Sequence, residues 1–359
     1  EIVYINFDDV RLRQMTADDL DLILQAYHSL FDLRPLLFFD EIQNIEGWEH
    51  FARRLANQKY NIYITGSNAK MLSREIATTL GGRFWNKDVY PYSFAEYLNA
   101  RNIILSKNWI YGKQAAEVSK AFNDYFLYGG FPELTDVIAK RVWLNDIYSK
   151  IFFSDLIVRN KVRNEEALGL LVRRLAENVK QPISYTRLAN LISSIGIKIS
   201  KATVIEFIRY LKESCLIFPI ENYAAKFAER NSNMKHYFID NGLLSIFLLD
   251  GNTSLLENIV AIHLYKRYGA QLYFYNQNIE VDFIIPEAKT AIQVSYSLMD
   301  ETTCRREVEG LIKLNRVFPM DNMCIITRDE ERIITHESGV SIHVIPVWKW
   351  LLEEEPLQT

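Results

Sequence analysis

Leu36-Leu-Phe-Phe39 runs straight into Asp40-Glu41, and this abrupt change limits the fold more than any other stretch of the chain. Four consecutive apolar residues without polar alternation read as a strand buried on both faces, which calls for a parallel sheet covered by helices. The flanking sequence supplies that pattern. Val3-Tyr-Ile-Asn-Phe7 is a strand-like run ending in Asp8-Asp9, and Thr16-Ala-Asp-Asp19 reads as a capping box before Leu20, Ile23, Leu24, Tyr27 and Leu30 at helical spacing. Pro35 resets the chain ahead of the apolar run, and Trp48, Phe51, Ala52 and Leu55 mark a second helix. Ile62-Tyr-Ile-Thr65 is the next strand, broken by Gly66 before a helical stretch over Ser67–Leu80.

Strands joined through helices predict an α/β fold with ligands at the carboxyl ends of a parallel sheet. Two polar clusters leave that edge: Asp40-Glu41 and Thr65-Gly-Ser-Asn68. A carboxylate pair beside small polar side chains suits a nucleoside triphosphate and its Mg²⁺, because phosphoryl transfer depends on positioning and charge neutralisation. The arrangement resembles the Walker B motif of AAA-type ATPases. That resemblance implies that Asp40 orients the metal through water, Glu41 activates the attacking water, and Ser67 or Asn68 touches the γ-phosphate. The alternative is a helix-capping or surface carboxylate pair.

Further segments carry a resemblance over nearly the whole chain. They are Tyr4–Asp8, Leu37–Ile45 with Gly47-Trp48, Ile64–Asn68, Leu80–Phe84, Tyr90–Tyr97, Tyr128–Glu133, Tyr237–Leu243, Glu280–Phe283 and Ile292–Tyr296. Together they resemble predicted AAA-superfamily ATPases of bacteria and archaea with a C-terminal domain of unknown function. Such proteins carry a GKT- or GKS-type phosphate loop ahead of the strand that opens this sequence. Nothing here matches GxxxxGK[ST], since Gly81-Gly82-Arg83 lacks the Lys and the hydroxyl residue. Binding of ATP and Mg²⁺ is therefore expected only with an upstream phosphate loop, and Glu1 in place of Met marks an expected cut. Arg83, ahead of an expected edge strand over Phe84–Val89, is either an arginine finger in cis or in trans or a surface Arg beside a Gly-Gly turn. Pro91–Leu98 and Tyr128–Glu133 are expected to pack the lid.

The bulk numbers remove several classes. A net charge of −4 over 359 residues gives no global basic field, so a nucleic-acid contact would need a local patch. Three scattered cysteines make neither a disulfide framework nor a CxxC pair, which fits a reducing, cytoplasmic setting. No apolar run reaches the roughly 18 residues of a membrane span. The six histidines show no ligand spacing, so no zinc site is expected.

Residues 100–164 read as a helical lid or connector. From 165 to 250 the pattern is three helices and a hairpin: Leu168, Leu171, Leu175 and Val179; Leu188, Leu191 and Ile192; Val204, Phe207, Ile208 and Leu211; then Leu216–Tyr223 and Lys235–Ile239. That is the winged-helix plan. Its third helix offers Lys201, Arg209 and Lys212 as DNA contacts, with Thr203 beside them and Glu206 and Glu213 against them. Lys226, Arg230 and Lys235 would add phosphate contacts from the wing.

Residues 251–359 order a helix carrying Glu257, a hairpin with Asp282 in its second strand, the strand Ala291–Ser295 and the helix Thr302–Leu314. This order resembles restriction-endonuclease-like folds, in which a helical Glu, a strand Asp and a Glu-x-Lys gather Mg²⁺. Glu257 and Asp282 match, and Gln293 with Ser295 replaces the Glu and the Lys. Gln293 keeps a carbonyl for a metal, but Ser295 brings no cation, so the fold is expected without cleavage. The expectation is an ATPase core over 1–99 coupling nucleotide state to the later modules, with DNA left open as a partner because winged helices also serve as plain packing modules. The alternatives are a Mg-dependent nuclease regulated by the ATPase half, and a non-catalytic DNA- or partner-binding adaptor. Homo-oligomers stay open.

Overall fold

The computed structural model describes residues 2–66, 78–226, 230 and 232–353. It comprises two compact units, Glu1–Val89 with Lys212–Cys215, and Tyr90–Leu211 with Leu216–Thr359.

In the first unit β1 (Ile2–Asn6), β2 (Leu36–Asp40) and β3 (Ile62–Ile64) form a parallel sheet in the order β1-β2-β3. The intervening helices are α1 (Leu20–His28) and α2 (Trp48–Asn57). Thr16 and Asp19 form the expected capping box, here around a short 3-10 turn that leads into α1. The stripe of Trp48, Phe51, Ala52 and Leu55 on α2 is buried with Leu37 and Phe39 of β2. Residues at i, i+3, i+4 and i+7 share one helix face, so this spacing turns α2 toward the core. On the other side of the sheet, the described residues leave much apolar surface exposed. Ile2 is 66 % and Tyr4 62 % exposed, and the Phe38 and Tyr63 rings stack on each other at 4.7 Å.

Two expectations for this unit change. Residues 84–89 form no strand, because no described strand lies beside them to complete a ladder. Of the helix expected over Ser67–Leu80, only 78–80 is described, and it is helical.

In the second unit, β4 (Ile183–Ser184), β5 (Ile217–Asn222), β6 (Asn233–Phe238), β7 (Tyr273–Asn276), β8 (Glu280–Ile285), β9 (Thr290–Val294), β10 (Asn322–Thr327), β11 (Arg332–Thr335) and β12 (Ser341–Pro346) make one mixed sheet. Its order is β11-β12-β10-β9-β8-β7-β5-β6-β4. The helices are α3 (Phe94–Ala100), α4 (Lys113–Tyr128), α5 (Lys140–Lys150), α6 (Glu165–Glu177), α7 (Tyr185–Ser193), α8 (Lys201–Glu213), α9 (Asn241–Ser245), α10 (Asn252–Tyr268), α11 (Glu301–Val317) and α12 (Val347–Glu353). Three helices, α6 to α8, do precede the antiparallel pair β5–β6. That pair does not stand apart, however. β5 runs parallel to β7 through Glu221↔Tyr273 and Asn222↔Phe274, so the sheet continues across residue 250. One apolar core likewise runs from Phe94 to Leu352.

The Gly129-Gly130 stretch is built into this core. Asp240 accepts from Gly130 N–H at 2.7 Å and from Gly242 N–H at 2.8 Å, joining segments 110 residues apart. Gly129 has φ +80°, and a Cβ there would fall on the Asp240 carboxylate. A Cβ on Gly242 would strike the Tyr128 carbonyl. Asn241 donates to the Phe126 and Leu255 carbonyls, and the amide of Asn258 brackets Phe238. Among the described residues, no helix is long and apolar enough to cross a membrane.

Candidate functional site

The parallel register brings Asn6 opposite Asp40, so Asp40 ends β2 at the carboxyl edge of the first sheet. Both of its carboxylate oxygens are engaged: Oδ2 accepts from the Tyr4 hydroxyl at 2.8 Å, and Oδ1 accepts from the Thr65 hydroxyl. Hydrogen bonding to Asp40 and its negative charge raise the Tyr4 phenol above its ordinary value. Thr65 follows β3, and its hydroxyl also receives the Glu41 N–H at 3.4 Å. Glu41 is left-handed at φ 53°, a region few non-glycine residues occupy and one often tied to functional positions. Its carboxylate accepts from the Gln43 amide. The donor set is all oxygen, which fits a hard divalent cation such as Mg²⁺.

Sequence reasoning missed the parts of Tyr4 and Thr65 in holding Asp40. Only strand register could have revealed them, since Tyr4 lies 36 and Thr65 25 residues from Asp40. Ser67 and Asn68 lie outside the described residues. Arg83 is exposed in the turn after Gly81 and Gly82, both at positive φ.

In the second unit the structure brings Glu257, Asp282 and Gln293 together, on α10, β8 and β9. Gln293 does not point a free carbonyl at a metal. Its Oε1 accepts from Asp282 N–H at 3.0 Å and its Nε2 donates to the Glu280 carbonyl at 3.1 Å. The amide thus bridges β8 and β9 just beyond the Phe283↔Ile292 pair. Asp282 Oδ2 accepts from Val294 N–H at 2.9 Å.

The remaining space is filled by Lys235. Expected on the exposed wing, it is 0 % exposed, with Nζ 3.1 Å from both Glu257 Oε1 and Asp282 Oδ1 and 3.9 Å from Glu280. The correction has a plain cause: helices α6 and α10 pack against β6, and the Lys235 side chain turns toward Glu257 of α10 instead of solvent. Tyr237 donates to the same Glu257 oxygen at 2.7 Å. Burial alone would lower the Lys235 ammonium, but Glu257 and Asp282 outweigh it and hold it above its ordinary value. Burial pushes the Glu257 carboxyl up to about 7 against the pull of Lys235. One ammonium shared by two carboxylates leaves a negative charge uncompensated, which reconciles the two directions. A divalent cation does not fit this arrangement, and no cluster of three His, Cys, Asp or Glu able to hold a metal occurs among the described residues.

On α8 the side chains of Lys201, Arg209 and Lys212 are exposed. Arg209 lies 3.9 Å from Glu206 and over the Tyr210 ring at 5.1 Å. Arg230 is turned inward onto the Tyr223 and Ala225 carbonyls, which takes it from the expected wing contacts.

Residues 1–98 match the model of an AAA domain, and residues 119–254 match a domain of unknown function (DUF8612). An uncharacterized protein of Methanocaldococcus jannaschii is 34 % identical, over 98 % of this chain and 82 % of its own length. An uncharacterized protein of Haemophilus influenzae is 30 % identical, over 98 % of this chain and 86 % of its own length. Among solved structures, the Walker-type ATPase of Pyrococcus abyssi is 14 % identical, covering 68 % of this chain and 83 % of that one, with a TM-score of 0.39.

Proposed function

The chain belongs to the family of the uncharacterized Methanocaldococcus jannaschii and Haemophilus influenzae proteins, and we propose that it is an AAA-type ATPase whose nucleotide state drives its second unit. The observation that carries this reading is Asp40-Glu41 at the end of β2, with the Thr65 hydroxyl bridging the Asp40 carboxylate and the Glu41 N–H. In this reading Asp40 would help hold Mg²⁺, with Tyr4 and Thr65 fixing its carboxylate plane. Glu41, turned out of the strand by its left-handed backbone, takes the proton of the attacking water. Mg²⁺, when bound with ATP, neutralises charge on the phosphates. Ser67 or Asn68 touches the γ-phosphate, and Arg83 supplies a finger in cis or in trans. The sequence holds no GxxxxGK[ST] loop, so nucleotide binding is proposed for the chain preceded by one.

The finer architecture belongs to the same proposal. Residues 100–164 act as a helical lid, 165–250 as a winged-helix-like module and 251–359 as a restriction-endonuclease-like module sharing its sheet. Lys201, Arg209 and Lys212 offer α8 to DNA phosphates. Exchanging Glu41→Gln in the protein carrying a phosphate loop should leave ATP bound and slow hydrolysis by roughly 10²–10⁴-fold. Binding by a fluorescent ATP analogue and phosphate release measure the two. Undiminished hydrolysis would remove Glu41 from the base role.

A further inference from the structure

Lys235 sits where a metal reading of the second unit would put its ion. Its Nζ is 3.1 Å from one oxygen each of Glu257 and Asp282, and the Phe274 ring centroid lies 5.6 Å away. Glu280 lies farther off, at 3.9 Å and half exposed, and the nearer groups are committed. Tyr237 shares the Glu257 oxygen, Val294 N–H holds the second Asp282 oxygen, and Gln293 spends its amide on two backbone groups. A hard divalent ion would need about six oxygens at about 2.0–2.6 Å, and it would have to displace a like-charged ammonium that is fully buried.

We propose that the Lys235 ammonium is a tethered replacement for a divalent cation between Glu257 and Asp282. The native site is closed to metal, and its charge balance is supplied by the chain itself. Removing the ammonium leaves the buried Glu257 and the partly buried Asp282 carboxylates around one vacated position, and like charges so placed recruit either protons or a cation. The vacated pocket then becomes an oxygen-ligand site of the class that takes Mn²⁺ or Mg²⁺. This inference does not rest on the ATPase reading.

The test uses the full chain in an Asp40→Asn background, so that the first-unit carboxylate contributes nothing, with Mn²⁺ as the probe. Titration calorimetry and thermal unfolding are read together. The parent chain should show no saturable Mn²⁺ binding and no change in Tm. Lys235→Ala should unfold at a lower temperature, bind one Mn²⁺ and regain Tm as Mn²⁺ is added. Adding Glu257→Gln should abolish that response, and Lys235→Arg, which keeps a cation, should never gain it. Two results would overturn the proposal: parent-chain Mn²⁺ binding that Asp282→Asn removes, or a folded Lys235→Ala chain indifferent to Mn²⁺. Should the Ala variant fail to fold with and without Mn²⁺, Lys235→Met keeps the side-chain length without the charge, and the same titration decides.

Discussion

Asp40 ends a strand with its carboxylate reaching two hydroxyls in a partly exposed position, whereas Asp282 lies within a strand against a fully buried ammonium. Glu41, beside Asp40, occupies a left-handed backbone position; Glu257, across from Asp282, sits inside a helix with Lys235 and Tyr237 on one oxygen. Both pairs are close-set acids on a sheet, yet only the first keeps its charge where a ligand could meet it. Hydroxyl partners orient a carboxylate without neutralising it. An ammonium does both, and so uses up the charge that would attract a metal.

The two sheets differ in the same sense. Ile2, Tyr4, Phe38 and Tyr63 leave one face of the parallel sheet largely uncovered, although such sheets are usually buried on both sides. In the second unit Phe274, Phe283, Ile292 and Ile326 are all buried in the shared core.

The largest expected effect separates the two acid pairs by stability. Lys235→Ala should cost the second unit about 3–5 kcal/mol, because it strands buried carboxylates without their cation. Protonation of Glu257, already pushed up to about 7, will hold the loss toward the lower end. Asp40→Asn should cost the first unit less than about 1 kcal/mol, since its hydrogen bonds lie near solvent. Urea unfolding of each variant measures both. Equal losses would erase the distinction between an open and a sealed site.

Sequence legibility follows the same divide. Leu36–Phe39, the stripe of α2 and the edge cluster at Asp40 could be read because local periodicity and one strand-end rule determine them. The Tyr4–Asp40–Thr65 bridge could not, since it depends on register between strands. Lys235 was misread for a different reason. In Asn233-Met-Lys-His-Tyr-Phe238, alternation puts Lys235 and Tyr237 on one face and Met234, His236 and Phe238 on the other, but packing elements cover both faces, so Met234 through Phe238 are all buried. No local pattern announces that a strand is covered on both faces. The Gly129-Gly130 and Asp240-Asn241-Gly242 segments were visible as motifs, while their mutual contact was not.

That contact gives the next effect. Burial pushes the Asp240 carboxyl up to about 6 from 3.8, even though three backbone N–H groups pull it down. The folded state therefore holds a proton between these values that the unfolded chain has released. Stability from this group is fully present below about pH 4 and is lost as pH rises toward 6, by about 2–3 kcal/mol. Asp240→Asn keeps an acceptor for Gly242 but cannot ionise, so the variant's stability should lack this fall. Urea midpoints of the two chains across pH 4–7 give the difference directly. Parallel profiles would mean that Asp240 ionises as freely in the fold as outside it, and the second unit would then be less sealed than its buried polar network implies.

The smallest effect probes the open site alone. Tyr4 donates to Asp40, and both that hydrogen bond and the carboxylate charge resist loss of the phenolic proton. Asp40→Asn keeps an acceptor in place but removes the charge, so the Tyr4 pKa should fall back toward its ordinary value. With 20 tyrosines in the chain, the measurement needs an assigned signal: ring-labelled tyrosine followed by NMR through the alkaline titration, with Tyr4→Phe identifying the resonance. A fall confined to that resonance would show that the Tyr4 phenol feels the charge of the Asp40 carboxylate across their hydrogen bond at the sheet edge. An unchanged Tyr4 would mean that something else already balances Asp40, and the contrast with the ammonium-filled site at Asp282 would disappear.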